Sequence, residues 1–165
     1  MTNSDGGSIS KSFTAADGTI NAGAINIEES QAPPREIHLL RPHHGMCLAF
    51  FAGRGYSDAF CANMAEMKTV LEGGSHVKLT CGADCICAAC PNLCKAQGNS
   101  SLLQCISHAK VCRYDRAVLE ALSLPEGAVI SYNEFSQLVK SKILDTGRRG
   151  SICADCGWTG LCDGS

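Results

Sequence analysis

The sequence predicts an α+β fold: a mainly helical single domain with a small two-stranded β element and two cysteine-rich metal-binding loops. Three observations carry that reading. Apolar residues recur at helical spacing in several stretches, and two short strand-like runs are separated by helical text. Twelve cysteines in 165 residues also gather mainly in two runs poor in large apolar side chains. At 17.4 kDa the chain suits one core plus an appendage.

Residues 1–35 are rich in Gly, Ser, Ala, Asn and Thr and close on Pro33-Pro34, which predicts a flexible leader. The domain follows as residues 36–165. Ile37-His38-Leu39-Leu40 reads as a strand, and Pro42 opens a helix through His43, His44, Cys47 and Phe50, broken at Gly53-Arg54-Gly55. Ser57 is placed to cap a helix with Phe60, Met64, Met67 and Leu71 on one face, stopped by Gly73-Gly74. Val77 to Thr80 is a second strand, able to pair in parallel with the first across the helices. Cys81 to Cys94 is expected as an irregular loop, followed by a helix from about Ser101 to Leu122. Ser131 and Glu134 form a capping box for a last helix burying Phe135, Leu138, Val139 and Ile143, and the tail after Gly147 is again cysteine loop.

An even cysteine count would also suit disulfides in a secreted chain. Met1 to Ser30, however, contains no charged segment followed by an apolar one, and its acids and lack of Arg argue against a mitochondrial presequence. No apolar run approaches the roughly 20 residues a bilayer requires. The expectation is therefore a reducing cytoplasm, with cysteines that bind metal. A net charge of −2 with dispersed basic residues gives no reason to expect nucleic acid or a membrane as partner, whereas a redox partner protein would suit the chemistry.

The two cysteine runs echo each other, each reading Ile-Cys-x-x-Cys, a bend, then Leu-Cys: Ile86 to Cys94 and Ile152 to Cys162. A C-x-x-C turn projects two thiolates while its amides can face the sulfurs and offset their charge. Cys61 and Cys112 sit in helical text and read as small buried hydrophobes. Zinc knuckles usually lie about 15 to 20 residues apart. Here 62 residues separate Cys90 from Cys153, and the surplus of thiols with Cys90-Pro91 favours an iron-sulfur cluster, with Zn as the alternative. His43 and His44, just before Cys47, read as cluster ligands or proton donors, with simple structural capping as the bland alternative.

Leu40-Arg41-Pro42-His43-His44-x-x-Cys47, Gly53-Arg54-Gly55-Tyr56-Ser57, Ile86-Cys87-x-x-Cys90-Pro91, Arg113-Tyr114-Asp115-Arg116 and Ile152-Cys153-x-x-Cys156-x-Trp158 occur in order. Together they resemble the domain of unknown function 1284 family of bacteria and archaea, over about Ile37 to Gly164. The resemblance implies an iron-sulfur protein of unassigned activity, with Cys47, Cys87, Cys90, Cys105, Cys153, Cys156 and Cys162 as metal ligands. Cys61, Cys81, Cys85, Cys94 and Cys112 depart from that pattern. The favoured function is a 4Fe-4S protein holding one or two clusters, with a redox or electron-transfer role. Two alternatives stand beside it. One is a zinc-stapled interaction module, and the other is an enzyme whose cluster keeps one iron open, with His43 and His44 handling protons.

Overall fold

Ile37–Leu40 forms β1 and His76–Leu79 forms β2, paired in parallel with Ile37 opposite His76 and Leu40 opposite Leu79. This computed structural model describes residues 36–163; the expected leader lies outside the described residues. A parallel pair needs a crossover. Helices α1 (Pro42–Ala49) and α2 (Asp58–Glu72) supply it. The sequence reading stops at two strands, but β5 (Val129–Ser131) adds an antiparallel third and leaves β2 central.

Local signals place most elements. Pro42 opens α1, and Ser57 caps α2 by accepting the Phe60 amide at 3.2 Å. Phe60, Met64 and Leu71 are buried and Met67 half-buried, as their spacing predicts. Ser131 caps α4 (Tyr132–Val139) by accepting the Glu134 amide at 3.2 Å. A π-helical turn, Lys140–Leu144, continues α4 and buries Ile143.

One element differs. The helix expected from Ser101 starts only at His108, and Asn99–Cys105 is instead strand β4, paired antiparallel with β3 (Leu93–Ala96). Gly98, at φ +77°, makes the tight turn between them. Leu102 and Leu103 on this strand both stay exposed. The true helix, α3 (His108–Leu122), buries Cys112, Asp115, Val118, Leu119 and Leu122 along one stripe. The run from Cys81 to Cys94 is likewise not wholly irregular: Ile86–Ala89 is a 3₁₀ turn, and β3 begins at Leu93.

The core joins the sheet to the helices through Leu40, Leu48, Leu71, Leu79, Phe135 and Ile143. Helix α1 lies against both α3 and α4, close enough that a Cβ on Gly45 would come within 2.5 Å of the Phe135 ring. Two short helices, α5 (Arg149–Ile152) and α6 (Thr159–Asp163), make up the tail. Among the described residues no helix is long and apolar enough to cross a membrane.

Candidate metal centre

The N-terminus of α1 is built by distant carboxylates. Its cap residue, Arg41, makes no side-chain cap. The Arg41 amide instead donates to Asp84 Oδ2 at 2.7 Å and the His43 amide to Asp115 Oδ1 at 3.2 Å. These acids satisfy amides that would otherwise lack partners and sit at the positive end of the helix. They also hold its two imidazoles, with His43 Nδ1 at 2.6 Å from Asp115 Oδ1 and His44 Nδ1 at 2.7 Å from Asp84 Oδ2. A carboxylate only accepts, so each Nδ1 carries a proton, which leaves Nε2 as the ring nitrogen that could take a metal. Burial, aided by the neighbouring His44, pushes the His43 pKa down to about 4 despite Asp115.

One turn further along α1, Cys47 faces a cavity of about 310 Å³ whose wall also carries Cys105, Cys153, Cys156 and Cys162. The tail brings three of these together. The Cys156 amide donates to the Cys153 carbonyl at 3.0 Å, closing the C-x-x-C turn, and the Trp158 amide points at Cys156 Sγ at 3.5 Å. Burial raises the pKa of Cys47 far above the usual thiol value, and Cys156, Cys162 and Cys153 raise it further. Cys153 is pushed up to about 11 by burial and by Cys156. Neighbouring thiols of this kind repel one another when ionised, and a bound cation removes that penalty.

A smaller cavity adjoins the first. Cys87, Cys90 and Cys105 line it, and His43, His44, Tyr56 and Cys105 line both. The 3₁₀ turn holds the first two thiols, with the Cys90 amide donating to the Cys87 carbonyl at 2.9 Å. Cys105, at the end of β4, lies near enough to Cys90 to help raise its pKa, behind burial as the main cause. Burial opposes ionisation of Asp84, but His44 and hydrogen bonds from Arg41 and Cys87 outweigh it and hold the pKa at about 2. A ring nitrogen of His44, a carboxylate oxygen of Asp84 and Cys87 Sγ all lie within 4.8 Å of one another.

Helix α3 ties both cavities together through the Arg113-Tyr114-Asp115 motif. Asp115 is fully buried and accepts from Arg41 Nε at 2.9 Å and Nη2 at 2.5 Å. The Tyr114 hydroxyl donates to Asp155 Oδ1 at 2.7 Å, and Arg113 Nη2 donates to both oxygens of Asp155, at 2.9 and 2.7 Å. Lys110 Nζ adds a bond to the Asp155 carbonyl at 2.6 Å. Asp155 lies inside Cys153-x-x-Cys156, so this clasp sets the orientation of that turn.

The seven sequence-predicted cysteines thus line two adjoining cavities, with Cys105 on the wall between them, and His43 and His44 reach both. Cys112 is core: its thiol donates to the Cys81 carbonyl at 3.3 Å and accepts from Arg41 Nη2 at 3.4 Å. Asp84, Asp115 and Asp155 escaped the sequence reading. Their signal was position, one inside a quoted motif and two within three residues of a C-x-x-C cysteine, but their partners lie 40 to 74 residues away.

The donor set, thiols with imidazoles oriented by buried carboxylates, is compatible with metal binding. Residues 55–162 match the family described as Protein of unknown function (DUF1284), leaving the Leu40 to Cys47 segment ahead of the match. No curated protein and no solved structure matches the chain.

Proposed function

The chain belongs to the family described as Protein of unknown function (DUF1284), which names no activity, and we propose from its site that it is an iron-sulfur protein, with a 4Fe-4S cluster held by Cys47, Cys153, Cys156 and Cys162. One observation carries the reading. Four thiols from α1 and the tail line one large cavity, yet no three of them crowd together at single-ion distance among the described residues. Zinc bound by four thiolates at about 2.3 Å draws its sulfurs to roughly 3.8 Å apart. A cluster binds its thiolates at separate irons and needs them spread around a chamber.

A bound cluster supplies one-electron redox chemistry, which fits electron exchange with a redox partner protein in a reducing cytoplasm. The chain's own residues set its surroundings. Phe50, Phe51, Phe60 and Met64 on the cavity wall exclude water, and the Trp158 amide faces a ligand sulfur. Cys47 adds a fourth thiol to the tail's three, which supports four-thiolate ligation over a cluster with one iron left open to substrate. Anaerobic purification should give a brown protein containing iron and acid-labile sulfide, and Cys153→Ser should lose most of both from this site. A colourless protein holding only zinc after anaerobic reconstitution would overturn the proposal.

A further inference from the structure

The smaller cavity has its own complete donor set. Cys87 lies in the 3₁₀ turn and Cys90 caps its end, while Cys105 closes β4 opposite Leu93 in the β3–β4 pair. A fourth donor is needed, and the described residues offer one in a prepared state. His44 Nδ1 is held by Asp84 Oδ2 at 2.7 Å, and a ring nitrogen of His44 lies within 4.8 Å of Cys87 Sγ. Asp84 is itself no free ligand. Its Oδ2 accepts from the Arg41 amide and from His44, and its Oδ1 from the Cys87 amide at 3.0 Å. One buried carboxylate therefore fixes both an imidazole and the first cysteine of a C-x-x-C turn, as the outer partner of a metal-bound histidine does. His43 is placed differently: its Nδ1 is held by Asp115, on the side of Arg41 and α3.

We propose that Cys87, Cys90, Cys105 and the Nε2 atom of His44 hold a second iron-sulfur cluster, distinct in ligation from the four-thiolate one. The proposal rests on the first site being a cluster site. Cys87, Cys90 and Cys105 do not form a three-sulfur group at single-ion spacing among the described residues, and in the group that does lie that close, His44, Asp84 and Cys87, the carboxylate is already taken by the Arg41 amide, His44 and the Cys87 amide. The two cavities share the Cys105 and Tyr56 wall, so the two clusters sit as neighbours. Replacing one thiolate by a neutral imidazole makes the second cluster less negative, and in two-iron centres that exchange raises the potential. The pair is thus asymmetric.

Anaerobically reconstituted full-length protein tests this by metal analysis and electron paramagnetic resonance. The wild type should hold about twice the iron and sulfide of either Cys87→Ser or Cys153→Ser. When fully reduced it should show a spin-coupled spectrum that each variant simplifies to one isolated cluster. Pulsed measurements on Cys153→Ser, which keeps only the second cluster, should detect a strongly coupled ¹⁴N nucleus that His44→Cys removes while retaining iron. Iron unchanged in Cys87→Ser and Cys90→Ser, zinc in place of the second cluster, or ¹⁴N coupling that survives His44→Cys would each overturn the inference while leaving the first site standing. Loss of all iron in Cys153→Ser with Cys87→Ser unaffected would also overturn it. Wild-type protein without any iron or sulfide would instead remove the reading on which it rests.

Discussion

Asp115 joins three parts of the protein through one buried carboxylate: the Arg41 side chain, the His43 imidazole and the first turn of α1. Burial disfavours charge on both Asp115 and Arg41, but each keeps its charge because the partner charges and hydrogen bonds outweigh it. Taking away one member of such a pair strands the other. Asp115→Asn keeps the shape and leaves Arg41 uncompensated, so urea denaturation should show a loss of about 3 to 5 kcal/mol. A second residue gives a pH signature. Burial, with help from Glu72 and Cys85, pushes the Tyr132 pKa up to about 12 from 10.0. The folded protein then holds a proton that the unfolded chain releases, so this stability is fully present below pH 10 and is lost as pH rises towards 12. Tyr132→Phe should flatten that part of an alkaline stability profile; an unchanged slope would show that Tyr132 does not set it. Both residues are visible in the sequence, but their burial is not, because it depends on chain segments far away.

At the scale of elements, the approach of α1 to α4 is set by a missing side chain. A Cβ on Gly45 would meet Phe135 Cε1 at 2.5 Å and Val139 Cγ2 at 3.2 Å, both deep in the core. Gly45→Ala should therefore cost about 1 to 3 kcal/mol through overpacking. Gly150→Ala, where nothing lies within 4 Å, is the control and should be close to neutral by the same thermal melt. The tail is positioned instead by the clasp on Asp155, whose pKa Tyr114 and Arg113 hold at about 2. Asp155→Ala should raise the rate of tryptic cleavage after Arg148 and Arg149, at the start of the tail, several-fold while leaving the melting of the helical core nearly unchanged. Caps and apolar spacing made α2 and α4 legible from sequence, since those signals act within a few residues. Strand β4 was misread because its pairing with β3, rather than its own pattern, decides it.

For the whole molecule, the question is what remains when metal is withdrawn. The sequence alone implies that both cysteine runs are ordered only by ligation. The structure separates them. The run from Cys81 to Cys94 places Ile86 at 0% exposure in the core and anchors Asp84 to α1, so packing and hydrogen bonds hold it. In the tail no residue from Ser151 to Asp163 is buried, and ordering it would draw on ligation and the Asp155 clasp. Metal-stripped protein should keep its helical circular dichroism and protect residues 81–94 from protease, while the tail is cut; equal cleavage of both runs would contradict this. The sequence by itself determined the mixed helical fold, the helix caps and the thiol-rich donor set, because spacing and composition act locally. Only the tertiary structure decided which thiols share a cavity, which acids orient the histidines, and which cysteine run stands without metal. Those outcomes depend on contacts between residues 40 or more positions apart, and no local pattern specifies such distances.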